Sequence, residues 1–323
     1  MTSLQAGDQL DRYRIDALVA RSGMASIFRA TDMRDGRGVA IKIPHPETEA
    51  DPVFFDRFRR EAEIGQKLDH PGVMKVYPNP GASRVYMVME WVEGNLLRRL
   101  LQRQARMAPE QAIPLVIGIA DALDYIHRHG VVHRDLKPEN IMIEPGGHVK
   151  LIDFGVAGSL GARRLTFGKL SQVVGTPDYI SPEQVRGKRG DGRSDIYALG
   201  VMLYEMLAGR VPFEGGNPFA IMHDRLMNHP TPPRVLNPDI SPALQEVIYR
   251  ALEREPQDRY STAAEMAWDL EHLDQVHPKE RPELTEWKKR KTPWLRRALF
   301  YAAMAAVPLA IFGLLYLVAH MGK

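Results

Sequence analysis

Residues 133–140 read His-Arg-Asp-Leu-Lys-Pro-Glu-Asn, and thirteen residues past that asparagine an apolar run ends in Asp153-Phe154-Gly155. Together the two strings hold the groups that phosphoryl transfer requires. A carboxylate must orient a hydroxyl nucleophile, a cation must sit on the transferring phosphate, and oxygen ligands must hold Mg²⁺, because such a transition state is stabilised mainly by positioning and charge. Asp135, Lys137, Asn140 and Asp153 supply that list.

The same pair of strings resembles the signature set of the protein-kinase superfamily, and co-occurrence in the right order makes the match specific. The resemblance implies an α+β, bilobed fold. A smaller N-lobe, about 11–91, combines an antiparallel sheet with one helix, and a mostly helical C-lobe covers about 92–275, giving a kinase domain over 1–275. ATP and Mg²⁺, with Mn²⁺ as an alternative ion, are the implied cofactors, and protein Ser/Thr residues the implied substrates. Asn140 and Asp153 are the metal ligands by this resemblance.

Upstream, 13–19, 26–30, 39–43 and 85–90 read as short strands, and 51–68 as a helix. The helix carries Phe54, Phe58, Ile64 or Gly65, and Leu68 on one stripe, with Glu61 among them. A carboxylate on an apolar face needs a partner. Lys42, in Val39-Ala40-Ile41-Lys42, is the candidate, since a strand lysine reaching ATP phosphates needs a carboxylate to hold it. Both residues match the family's paired lysine and glutamate.

The phosphate-covering turn departs from the family pattern Gly-x-Gly-x-x-Gly-x-Val. Here 20–27 read Ala-Arg-Ser-Gly-Met-Ala-Ser-Ile, so Ala20, Ser22 and Ala25 replace the glycines and only Gly23 remains. Glycine permits close backbone approach, so the loop is expected to be stiffer or set back from the phosphates. Val19, Ala20, Ser22 and Gly23 are the expected contacts there. Val19, Ile27 and Ala40 are expected apolar walls for the purine. Met87-Val88-Met89-Glu90-Trp91-Val92-Glu93-Gly94 resembles the hinge, with backbone groups of Glu90 and Val92 on the adenine edge and Met89 beside it.

In the second half, 109–129 has helical spacing with Leu115, Ile119, Leu123 and Ile126 on one face, ending at Gly130. A hairpin is expected over 140–143 and 149–152. By resemblance, 156–180 is the activation segment, Glu183 pairs with Arg259, and Asp195 braces the catalytic loop. Lys137 and Gly175-Thr176-Pro177 resemble Ser/Thr rather than tyrosine kinases. Arg134 beside Asp135 suggests control by phosphorylation, with Thr166 and Ser171 as autophosphorylation sites and Thr176 in the substrate-facing loop. None of the eleven histidines has metal-ligand spacing; His133 is expected to be structural, and His127 and His129 to face a helix surface or cap.

Composition sets the remaining bounds. Zero cysteines exclude disulfides, thiolate metal sites and a cysteine nucleophile. Residues 1–13 are polar, without the apolar core of a secretory signal. Residues 288–323 hold seven Lys/Arg and no acid; taking those from the formal +3 leaves −4 for 1–287, which argues against nucleic acid as a partner. The uncharged stretch 298–319 is long enough, at about 1.5 Å per residue, to cross about 30 Å of hydrocarbon. A basic flank at 288–297 precedes it within a linker over 276–297, and a short tail, 320–323, follows. The expected location is thus a cell (inner) membrane, single-pass, with the kinase domain cytoplasmic. Ala302, Ala306, Ala310 and Gly313 would let two such helices approach as a homodimer, although alanine is also simply common in such segments. Two alternatives stand beside the enzyme reading: a membrane-anchored pseudokinase scaffold, favoured by the aberrant turn, and a small-molecule kinase.

Overall fold

Strict alternation in the strand Gly38–Pro44 organises the N-terminal lobe. Val39, Ile41 and Ile43 point to one side, where they pack with Tyr13, Ile15, Phe28, Tyr86 and Val88; Ala40 points to the other, with Phe58, Met74, Val76, Met87 and Met89. A strand buried on both faces is central. The computed structural model describes residues 4–153 and 177–281, and the chain divides into one unit of Met1–Lys279 and a second of Glu280–Lys323.

Six antiparallel strands form the upper sheet in the order β1-β2-β3-β4-β6-β5: β1 Gln9–Leu10, β2 Tyr13–Arg21, β3 Ala25–Asp32, β4 Gly38–Pro44, β5 Val76–Tyr77 and β6 Met87–Glu90. Between β4 and β5 lie the single turn α1, Pro46–Glu49, and the helix α2, Pro52–Gly65. The Asp51 carboxylate caps α2 by accepting from the Val53 and Phe54 N–H groups, and Pro52 fits the first helical position because no helical partner exists there for an N–H. Gly65 has a packing reason: a Cβ there would lie 2.4 Å from Val76 Cγ2, so only glycine lets α2 reach β5.

The helix is shorter than the expected 51–68. After Gly65 the chain leaves α2 through turn bonds from the Lys67 and Leu68 N–H groups, and Leu68 is buried in the core of the other lobe. Its apolarity serves the lobe junction rather than the α2 stripe. The strand expected over 85–90 likewise begins at Met87.

The C-terminal lobe starts with β7, Asn95–Leu96, α3, Leu97–Arg103, and α4, Pro109–Arg128. On α4, Ile119, Leu123 and Ile126 are fully buried as their spacing requires, and Leu115 is half-buried. The helix Gly192–Ala208 is apolar around nearly its whole surface and forms the centre of this lobe, flanked by α4 and the helices Pro242–Ala251 and Ala263–Glu271. A three-stranded sheet, β7-β8-β9, holds β8, Ile141–Ile143, against β9, Val149–Leu151. The two lobes are joined at β9: Leu151 N–H donates to Gly72 O at 2.8 Å, and Met74 N–H donates to Leu151 O at 2.9 Å.

Candidate active site

The loop 133–140 is anchored by burial of His133, Leu136, Pro138 and Asn140. His133 and Leu136 are buried, which leaves the intervening Asp135 carboxylate open to solvent. Arg134 takes a left-handed conformation (φ +62°), which costs a non-glycine residue about 1–3 kcal/mol and requires a surrounding structure that enforces it. Asp195, in the buried helix Gly192–Ala208, provides that constraint. Its carboxylate accepts the N–H of His133 at 2.8 Å and of Arg134 at 2.7 Å, and also meets His127 Nε2 at 2.8 Å.

On this loop Lys137 Nζ lies 2.6 Å from Asp135 Oδ2. The Asn140 amide nitrogen donates to Asp135 O at 2.8 Å, which leaves its amide oxygen as an acceptor. Asn140 O in turn accepts from Ile152 N–H at 2.9 Å, so the loop and the end of the β8–β9 hairpin are bonded one residue before Asp153. Asp153 also has a left-handed backbone (φ +63°). An amide oxygen and a carboxylate are hard oxygen donors that suit Mg²⁺, which keeps several waters and needs few protein ligands. Among the described residues no cluster of three or more His, Asp or Glu gathers as a cage.

Lys42 connects this loop to the upper lobe. Alternation along β4 turns it to the α2 side, where its Nζ meets Glu61 Oε1 at 2.9 Å and also bonds Asp153. One cation thus serves two carboxylates. Burial works against the charged form of Lys42, but Asp153 and then Glu61 outweigh it and raise its pKa. Glu61 is pushed up to about 7, chiefly by burial. Burial also opposes charge on Asp153, yet the closer lysine overcomes it and lowers its pKa. The asymmetry is physical, because a single Lys42 cannot fully offset two carboxylates, and Glu61 is the more buried of the two.

Ala40, Met89 and Val92 are buried in one apolar cluster, with Ile27 packed against it. Two further members, Met142 and Ile152, come from the lower lobe. Sequence reading passed over both, although the alternation that buries Ile141 and Leu151 in the helical core turns their neighbours the opposite way. Glu90 N–H donates to Lys75 O at 2.8 Å, and the Glu90 carboxylate is bonded by Lys150 Nζ at 2.6 Å. Val19 and Ala20 lie on an exposed stretch of β2, and the turn after it is internally tied: Ser22 Oγ accepts from the N–H groups of Met24 and Ala25. Gly23 makes no use of positive φ, and a Cβ there would meet nothing within 4 Å.

A second, partly buried network borders the loop. Arg98 Nε donates to Glu139 at 2.8 Å and its Nη1 to Glu205 at 2.8 Å, while the Tyr179 hydroxyl donates to Glu205 and accepts from Arg98. Farther along, Glu183 receives Arg259 on both oxygens, at 2.8 and 2.7 Å, and Ser194 Oγ–H at 2.6 Å. Burial raises the Glu183 pKa, but these bonds prevail and hold it down to about 2. Gln184 Nε2 donates to Arg134 O at 3.1 Å, linking this buried pair to the loop.

A family model described as Protein kinase domain matches residues 13–270. The chain belongs to this protein kinase family. Its kinase domain is 41% identical over 265 residues to the probable serine/threonine-protein kinase SCO3848 of Streptomyces coelicolor, covering 80% of this chain and 39% of that protein. It is 38% identical over 279 residues to the serine/threonine-protein kinase PknB of Mycobacterium tuberculosis, covering 85% of this chain and 45% of that protein. The chain therefore spans less than half the length of these curated relatives. The crystal structure of the Mycobacterium tuberculosis PknI kinase domain superposes with a TM-score of 0.66 at 26% identity, covering 84% of this chain and 100% of that chain. The fold is the bilobed protein-kinase fold. Two histidine expectations divide on the structure: His129 caps α4, whereas His127 turns inward to Asp195. Phe154, Gly155, Thr166, Ser171, Thr176 and the stretch 298–319 lie outside the described residues.

Proposed function

We propose that this chain is a serine/threonine protein kinase that transfers the γ-phosphate of ATP to hydroxyls of protein substrates. The observation that carries the reading is Lys42, bonded to both Glu61 and Asp153, one hydrogen-bonded step from the Asp135, Lys137 and Asn140 cluster. In this reading the Asp135 carboxylate accepts a hydrogen bond from the substrate hydroxyl and aims its oxygen at the γ-phosphorus. The new O–P bond forms as the bond to the β,γ-bridging oxygen breaks, and ADP departs with the electron pair while the hydroxyl proton passes toward Asp135. Lys137 offsets negative charge on the moving phosphoryl group, and Lys42 holds the other phosphates. Asn140 and Asp153 would hold Mg²⁺, or Mn²⁺, whose charge favours the same transfer. Ile27, Ala40, Met89 and Val92, with Met142 and Ile152, would enclose the purine, and the Glu90 carbonyl and Val92 N–H would meet its edge. Val19, Ala20, Ser22 and Gly23 would cover the phosphates.

We further propose that 298–319 tethers the domain to the cell membrane with residues 1–297 on the cytoplasmic side, which the basic flank at 288–297 supports. Activation would follow autophosphorylation at Thr166 and Ser171, with self-association of the tethers bringing two domains together. Phosphopeptide mapping of the full chain, expressed as wild type and as Asp135→Asn, tests the scheme. Phosphate on 156–176 in wild type and none in the variant is expected. An active enzyme without phosphate there removes the switch; no transfer by wild type to any protein favours the membrane-bound scaffold that the glycine-poor turn suggests.

A further inference from the structure

The turn between β2 and β3 lacks glycine at three family positions, yet it is fastened from two sides. From within, Ser22 N–H and Oγ–H both reach Ala25 O, at 2.9 and 3.1 Å, while Ser22 Oγ accepts from Met24 and Ala25. From outside comes His45, the first residue past β4. Its N–H donates to Met24 O at 2.9 Å, and its Nε2 shares a hydrogen bond of 2.9 Å with Ser26 Oγ. His45 therefore continues the β3–β4 pairing, in which Ser26 faces Ile43 and Ala25 faces Pro44, out to the tip of the turn. The strand it extends is the one that carries Lys42.

We propose that His45 is a positioning residue for the nucleotide: its side chain ties Ser26, where β3 leaves the phosphate-covering turn, to the end of the Lys42 strand, while its N–H holds Met24 in the turn itself, so that turn and lysine are presented to ATP as one rigid unit. This rests on the ATP-binding reading above. A glycine-rich turn is free to move and must be ordered by its ligand, whereas a turn ordered beforehand loses less conformational freedom on binding. The clamp would offset what the missing glycines take away in close backbone approach. Its two bonds are separable, because the backbone bond to Met24 survives any side-chain replacement except proline, and the imidazole bond to Ser26 does not.

The test uses the full chain in detergent, with Mg-ATP as the probe, read by equilibrium binding and by KM against kcat. Loss of one hydrogen bond predicts that His45→Ala raises Kd and KM for ATP about fivefold, while kcat at saturating ATP changes by less than about twofold. His45→Gln, whose amide reaches the position of Nε2, restores the affinity. Ser26→Ala reproduces the His45→Ala effect, and the double variant is no worse than either single one, as expected for two ends of one bond. If wild type binds Mg-ATP and His45→Ala binds it equally well, or if the two single effects multiply, the clamp is refuted. If wild type itself binds no Mg-ATP, the nucleotide reading falls and the clamp falls with it.

Discussion

Replacing Arg259 by alanine strips the Glu183 carboxylate of both its guanidinium bonds in a site where Arg259 is 3% and Glu183 4% exposed. The net gap between an ordinary 4.5 and the folded value of about 2, with burial working against the bonds from Arg259 and Ser194, corresponds at about 1.36 kcal/mol per pH unit to about 3 kcal/mol. Removing one partner of a buried pair typically costs about 3–5 kcal/mol, in agreement. Because the Glu183 pKa is depressed on folding, this stability is fully present above pH 4.5 and disappears as the pH falls from 4.5 toward 2. Thermal and urea unfolding of wild type and Arg259→Ala at pH 7 should therefore differ by about 3 kcal/mol, or about 6–12 °C in Tm for a domain of this size. The difference should narrow below pH 4.5 as Glu183 is protonated. Activity should fall as well, since Gln184, the next residue, donates to the Arg134 carbonyl. A loss under about 1 kcal/mol at pH 7, or a difference that does not narrow in acid, would show that Arg259 does not hold Glu183 ionised.

Three further outcomes are expected. Lys42→Met should lower phosphotransfer by at least about 100-fold, and its Tm should fall further at pH 8 than at pH 6, because Glu61, already pushed up to about 7, takes a proton at the lower pH and relieves the two facing carboxylates. Paired melts and transfer assays at both pH values check it. Asp195→Ala should cost about 2–4 kcal/mol in urea unfolding and at least about tenfold in kcat, because it removes the acceptor of two loop N–H groups and of His127. Carbonate-washed membranes should retain the full chain and release a variant lacking 298–323; equal release of both would remove the tether.

What was legible in the sequence and what was not follow from the range of the interactions. The string at 133–140 and Asp153 were readable because the chemistry confines residue types to short spacings, and the structure brings them together with Lys42 and Glu61. Strand β4 was readable because a short β-branched, apolar run suits a strand buried on both faces. The end of α2 was misjudged because Leu68 is apolar for the sake of the other lobe's core, a partner that periodicity cannot reveal. His127 and Lys150 carried no local signal at all: their carboxylates, on Asp195 and Glu90, lie 68 and 60 residues away. His45 was missed for a related reason, since its role arises from the register of β3 on β4 rather than from any motif.

Turnover at Asp135 is tested by incubating the full chain with γ-labelled ATP, Mg²⁺ and a generic Ser/Thr protein substrate, beside Asp135→Asn. Label on substrate hydroxyls from wild type, with a rate at least about 100-fold above the variant, is the expected result. Equal background labelling by the two proteins would contradict it.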